Sequence, residues 1–517
     1  MTSRWRWLAV GVASMLLGAC SQGEAPEARE DTGSSTPTTS APAPRLGPPA
    51  DSTVPTPTID GPITAGNGAP TLGPPGFDLS TVGYTEEEYF LSGAASSYTS
   101  ATPLTEDGRW DVTTDGTAPY TTSVVVRRPQ DPSAFDGTVV VEWLNVSGGL
   151  DASPDWSYAH DEIVRSGSAW IGVSAQRAGI EGGGNPLGAA LALKNADPQR
   201  YSVLDHPGDE FSYDIFSQAG AAVWSAPDRV LGGLQPEMVL AVGESQSAFR
   251  LTTYVDAIAP IADIYDGYLV HSRAASGAPL SDTVEAPDPT SSRTDLEVPV
   301  LVLSSETDLV GDRLGYGRAR QPDSDWFAGW EMAGTAHADA YNLGIADTDD
   351  GSGKGDDELF AAMGDPPSSV YFDVISCDRP INTGPHTYVA RAALASLATW
   401  ARTGVAPPAM PQLDLDDGGD DLVRYEDGIA TGGIRSPQVD VPIATLSGLG
   451  QPDGTFCALF GTTVAFGAEQ LADRYPDHGA FVSEWNRAVD AMVTAGALLD
   501  ADATELRRVA EQSSIGR

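Results

Sequence analysis

The chain has 517 residues, 29 of them basic against 72 acidic, for a formal net charge of −43. Such an excess leaves little to neutralise phosphates and excludes nucleic acid as a partner, and it disfavours docking on anionic lipid through a basic face. The acids are scattered rather than gathered in a tail, which marks a solvated surface. With 41% hydrophobic and 20% charged residues the composition is globular, and the length suits one large domain with insertions or two to three smaller ones.

At the N-terminus, Arg4 and Arg6 precede an apolar run from Trp7 to Leu17. The run is shorter than the about 20 residues a spanning helix needs and reads as an export signal. It ends in Leu17-Gly18-Ala19-Cys20, which resembles the lipobox of bacterial lipoproteins. That resemblance implies cleavage after residue 19 and diacylglyceryl transfer to the Cys20 thiol, which would anchor the chain to the outer face of a bacterial cell membrane. Ser21 to Pro75 is rich in Pro, Ser, Thr, Gly and Ala with few large apolar residues, so a disordered tether is expected over 20–75 and a folded domain over 76–517. With Cys20 consumed by lipid, Cys377 and Cys457 are left as a pair, expected to form one disulfide in an exported chain; two buried free thiols are the alternative.

Within the folded part, Glu88 to Leu91 and the β-branched run around Thr122 to Val126 read as the first strands. Thr138 to Leu144 reads as a buried strand opening into the loop Asn145-Val146-Ser147-Gly148-Gly149. A helix over Trp156–Arg165 and a strand over Ala169–Ser174 follow. The order strand, helix, strand predicts an α/β class with a mostly parallel sheet and right-handed crossovers. Phe211–Trp224 is predicted helical. It precedes the apolar run Met238 to Val242, which reads as a strand buried on both faces.

That strand runs into Gly243-Glu244-Ser245-Gln246-Ser247 and then a helical pattern, the shape of a nucleophile elbow. Such a turn tolerates only small residues two positions either side of the nucleophile. This makes Ser245 the candidate, since Ser247 has the bulky Phe249 two residues on. The final Ser departs from the usual Gly. The competing reading is an ordinary strand and helix whose serines cap the helix. If Ser245 is a nucleophile, the backbone N–H groups of Gln246, Asn145 and Val146 are candidate oxyanion donors.

Downstream, Tyr265–His271 and Val298–Leu303 are predicted strands with a polar loop between them. Ser304-Ser305-Glu306-Thr307-Asp308 then places two acids just past a strand end. Asp308 is the favoured orienting acid, and Glu306 is the alternative. The predicted strand Trp326–Met332 leads into Ala333-Gly334-Thr335-Ala336-His337, completing the order Ser, acid, His. Of the other histidines beyond the acid, His386 precedes a helix and could line a pocket, and His478 sits in a polar turn. Tyr388–Arg402, Phe481–Leu498 and Glu505–Glu511 read as helices. Acidic turns at 347–358 and 414–421 lack EF-hand spacing, and two distant cysteines make a poor metal site, so neither a metal nor an organic cofactor is expected.

Several stretches together resemble one family, the exported bacterial alpha/beta hydrolase domain proteins of carboxylesterase type. They include Gly61-Pro62-Ile63-Thr64, Val141-Glu142-Trp143-Leu144-Asn145-Val146-Ser147, Gly172-Val173-Ser174-Ala175-Gln176-Arg177, Gly243-Glu244-Ser245-Gln246-Ser247, Glu306-Thr307-Asp308 and Ala333-Gly334-Thr335-Ala336-His337. The resemblance implies the α/β-hydrolase fold and a triad on Ser245, Asp308 and His337. The expectation is therefore a membrane-tethered serine hydrolase acting on small-molecule carboxylic esters through an acyl-enzyme on Ser245. Amidase, peptidase or lactonase chemistry on the same triad, or a non-catalytic binding module on the same fold, are the alternatives.

Overall fold

The structure, a computed structural model, describes residues 47–48, 52–72, 76–183, 190–311, 313–370 and 374–517. Cys20, the expected signal peptide and most of the expected tether lie outside the described residues.

Nine strands form one sheet: β1 (Thr58–Asp60), β2 (Tyr84–Thr99), β3 (Thr113–Pro129), β4 (Thr138–Trp143), β5 (Ala169–Val173), β6 (Met238–Glu244), β7 (Gly267–His271), β8 (Val300–Ser305) and β9 (Phe327–Met332). Their spatial order is β1-β2-β3-β5-β4-β6-β7-β8-β9. The pairings from β5 through β9 are parallel, and β1, β2 and β3 join antiparallel at one end. This is the expected α/β architecture.

The two-sided burial of the central strands is visible in β6. Val239 and Ala241 enter a core with Tyr213, Phe216 and Leu251, from the helices Ser212–Ser225 and Gln246–Thr253. Met238, Leu240 and Val242 enter a second core with Trp156 and Ile163 of helix α1 (Pro154–Ser166) and Val389 and Leu397 of the helix His386–Thr403. Alternate residues of one apolar run thus serve opposite layers. Two C-terminal helices, His478–Ala495 and Asp500–Gln512, extend the second core through Phe481, Trp485 and Leu506. No helix among the described residues is long and apolar enough to cross a membrane.

The structure corrects the expected boundary at residue 76. β1 pairs with β2, the Ile63 N–H donates to Glu88 O at 2.8 Å, and Arg200 donates to Ala65 O and Ile63 O at 2.7 and 2.9 Å. The stretch from Ser52 to Leu72 is held by backbone bonds to the sheet edge and to distant side chains, a source of order that its own composition does not display. The first hairpin is also longer than the sequence suggests. Gly93, Gly116 and Pro119 look like breakers, yet they lie inside strands of 16 and 17 residues. At Gly93 a Cβ would meet Gln218 Oε1 at 2.7 Å, so the glycine permits close packing rather than a turn.

β9 ends the sheet at the far edge, and a later segment covers it. Ile434 N–H donates to Glu331 O at 2.7 Å, and Ala333 N–H donates to Ile434 O at 3.1 Å. Cys377 and Cys457 form the expected disulfide, across 80 residues of chain.

Candidate active site

β6 ends at Glu244, and the next residue turns the chain at φ 58°, ψ −122°. A non-glycine residue rarely adopts such a backbone. It is held by the Ser245 N–H donating to His271 O at 2.9 Å and by the Phe249 N–H donating to Ser245 O at 3.1 Å. At Gly243 a Cβ would come within 3.3 Å of the Ser247 carbonyl group, which accounts for the small residue. Ser247, where glycine is usual, is fully buried; its Oγ donates to Glu244 O at 2.7 Å and accepts from the Glu244 N–H at 3.1 Å. Its hydroxyl tethers the helix to the strand end, so this departure is accommodated without opening the elbow.

The turn presents Ser245 Oγ 2.6 Å from His337 Nε2, and His337 Nδ1 lies 2.6 Å from Asp308 Oδ1. Because a carboxylate only accepts, Nδ1 carries the hydrogen and Nε2 is left to accept from the serine hydroxyl. The other Asp308 oxygen accepts from Ser305 N–H and Ser305 Oγ–H at 2.6 and 2.9 Å. Burial works against the Asp308 charge, but His337 and the Ser305 donors prevail and hold its carboxyl below the usual aspartate value. The three expected residues are therefore brought together, although 92 residues separate Ser245 from His337.

Glu306, the alternative acid, does not reach His337. Its Oε1 accepts from Gly334 N–H at 2.6 Å, and its Oε2 from Gly448 N–H at 2.9 Å and from Arg424 at 3.2 Å. It anchors the backbone leading to His337.

Of the expected oxyanion donors, Asn145 is corrected. Its backbone N–H donates to Ala152 O at 2.9 Å, closing the loop on itself, and its side-chain amide donates to Glu244 O at 3.1 Å. Val146 N–H points to the Gln246 side-chain oxygen at 3.4 Å. Gln246 opens its helix, where a backbone N–H lacks an intrahelical acceptor. Val146 and Gln246 thus remain as the candidate donors.

Sequence reasoning did not single out Glu244, which it named only as part of the Gly243 to Ser247 turn. Its buried carboxyl lies 3.6 Å from His337 Nε2 and 3.4 Å from Asn145 Nδ2, and burial, reinforced by neighbouring acids, pushes its pKa well above the usual range. His386 is fully buried behind His337 rather than lining a pocket. Phe249 and Ala338, close in the chain to Ser245 and His337, pack on an apolar cluster that includes Ala274, Ile381 and Cys457. Elsewhere, His160, Asp161 and Asp349 could supply metal ligands, but Arg391 lies 2.6 Å from Asp161 and 3.5 Å from Asp349 and fills the cation's role.

A serine turned out at the C-terminal end of a central parallel strand, facing a histidine and an acid from later strand ends, defines an α/β-hydrolase. The chain matches the model of the alpha/beta hydrolase domain family over residues 59–508 and belongs to that family. No curated protein matches it. Similar solved structures include a serine hydrolase without a lid from Xanthomonas campestris, at 13% identity over 48% of this chain and 85% of that one, with a TM-score of 0.27. Others are an esterase from the fungus Rhizomucor miehei (13%, 48% and 74%, TM-score 0.25) and a carboxylesterase from Lactobacillus plantarum (9%, 39% and 74%, TM-score 0.25).

Proposed function

We propose that this protein is a serine hydrolase that cleaves carboxylic esters through an acyl-enzyme on Ser245, and that it works outside the bacterial cytoplasm, anchored by lipid on Cys20. The observation that carries the chemistry is the unbroken hydrogen-bonded line from Ser245 Oγ through His337 to Asp308. In this reading His337 Nε2 takes the hydroxyl proton as Oγ bonds to the acyl carbon, and Asp308 stabilises the imidazolium that forms. The Val146 and Gln246 N–H groups receive the oxyanion, for which the Gln246 side-chain oxygen must yield its place on Val146. His337 then returns the proton to the leaving alcohol. Water, deprotonated by the same nitrogen, releases the acid. A net charge of −43 repels anionic substrates and favours neutral esters.

A fluorophosphonate probe should label wild-type protein at Ser245 and leave Ser245→Ala unlabelled. Nitrophenyl esters of increasing acyl length should turn over faster than anilides or lactones. A folded protein that is neither labelled nor active on any ester would sink the assignment, and faster lactone or anilide turnover would reassign the substrate. For the anchor, Cys20→Ser should move the protein from the membrane to the soluble fraction of the producing bacterium.

A further inference from the structure

Behind Ser245 and His337 lies a set of buried groups that the hydrolytic scheme does not use. His271 ends β7 and His386 opens the helix His386–Thr403; both are fully buried, with their Nε2 atoms 2.6 Å apart. The outer nitrogen of His386, Nδ1, faces Ala336 O at 3.0 Å, and that of His271 faces Asp155 Oδ1 at 2.8 Å. Tyr158 stacks on His386 with ring centroids 4.1 Å apart. The result is one line: Ala336 O, His386, His271, Asp155.

Its protons can be counted. A carbonyl only accepts, so His386 Nδ1 bears a hydrogen. The two facing Nε2 atoms need one hydrogen between them, because two lone pairs or two N–H groups would repel at that distance. With His386 neutral, its Nε2 is the acceptor and His271 Nε2 the donor. His271 Nδ1 is then either a lone pair, which requires a protonated Asp155 to donate to it, or the second N–H of an imidazolium facing a carboxylate. Both states hold the same number of protons.

The surroundings separate them. Glu142 and Glu244 from β4 and β6, Asp308 and His337 from beyond β8 and β9, and Tyr158 from α1 face this line. Asp155 Oδ2 has no hydrogen-bond partner among the described residues, which would leave part of a carboxylate charge bare but costs a protonated acid only a carbonyl contact. Burial holds His271 down at about 3 and pushes Asp155 up, in the direction of the neutral form. A permanent imidazolium here would also oppose the charge His337 must acquire.

We propose that Asp155, as a neutral acid, together with His271 and His386, forms a positioning chain that sets the distance between the reacting serine and histidine. His271 holds Ser245, whose N–H donates to its carbonyl at 2.9 Å, and the His386 end holds the residue before His337 through Ala336 O. The role rests on the reading of Ser245 and His337 as the reacting pair.

The decisive comparison is Asp155→Asn against Asp155→Ala. The amide N–H of the former reproduces the donor to His271 Nδ1, so turnover of nitrophenyl acetate and the rate of fluorophosphonate labelling should stay within about threefold of wild type. The Ala variant, and His386→Phe, which keeps the stack on Tyr158 but breaks both hydrogen bonds, should lose about tenfold or more in kcat and labelling rate with KM little changed, the signature of misplaced reacting groups. Nitrogen-15 NMR of histidine-labelled wild-type protein should show His271 as the neutral Nε2–H tautomer and His386 as the neutral Nδ1–H tautomer.

An imidazolium signature for His271 overturns the proton placement. So does a folded Asp155→Asn variant as impaired as Asp155→Ala, and wild-type rates in His386→Phe overturn the positioning role. Wild-type protein that is never labelled at Ser245 overturns the hydrolase reading and the positioning role with it, whatever the tautomers.

Discussion

Glu306 and Asp308 stand two residues apart on one helical turn, yet their carboxylates serve different partners. Asp308 meets the imidazole of His337 at 2.6 Å, whereas Glu306 meets the Gly334 N–H at 2.6 Å and Arg424 at 3.2 Å. One acid orients the histidine, and the other holds the backbone that delivers it.

Their substitutions should therefore separate. Asp308→Asn leaves the fold intact but favours the wrong imidazole tautomer, and ester turnover should fall on the order of 10³- to 10⁴-fold. Glu306→Gln keeps an acceptor oxygen on only one side and sets its NH2 against the donors on the other, so it should lower stability by about 2 kcal/mol and change kcat less than about tenfold. Thermal melts beside steady-state rates on both variants check this.

Buried acids give the fold a pH dependence of definite sign. Burial lifts Asp151 and Asp339 from 3.8 to about 7, and Asp256 to about 8. Across that interval the folded state binds more protons than the unfolded one. The stabilisation is complete below about 3.8 and is lost as pH rises through 7 and 8. The protein should melt at a higher temperature at mildly acidic pH than at mildly alkaline pH. Asp339→Asn, which keeps an acceptor for the Asn342 N–H at 3.0 Å, should flatten that slope, as melts across a buffer series would record.

The elbow trades stability for reactivity. Ser245 holds φ at 58° without being glycine, so Ser245→Gly should be more stable than Ser245→Ala by about 1 kcal/mol, both being inactive. Denaturant midpoints of the two variants make the comparison.

Reducing the Cys377–Cys457 bond releases a loop closed across 80 residues, and chain entropy sets the loss at up to about 4.5 kcal/mol. That loop carries Asn382, whose amide donates to Gly334 O and Ser447 O at 3.0 Å each, so turnover should fall together with the melting temperature when reductant is added.

The central strands β4 to β9 were legible because parallel strands covered on both faces are written as unbroken apolar runs. Ser245, Asp308 and His337 were legible through their order along the chain and their places just past strand ends. What escaped depends on pairings between distant positions. Nothing local in Ile63 or Ala65 announces that Arg200 will bind their carbonyls. The closure of Asn145 on Ala152 has no marker in composition, and His271 and His386 meet across 115 residues. The choice between Glu306 and Asp308 turned on which way each side chain projects from a single turn, which spacing does not encode.

The two ends of the sheet carry a consequence for how copies of this protein behave toward one another. An open strand edge is a template onto which another chain can add. Here β1 offers only three residues at one end, and Ile434 takes the Glu331 O of β9 and the N–H of Ala333 just past it at the other. The segment that fixes the run-up to His337 thus also denies neighbouring molecules a place to pair.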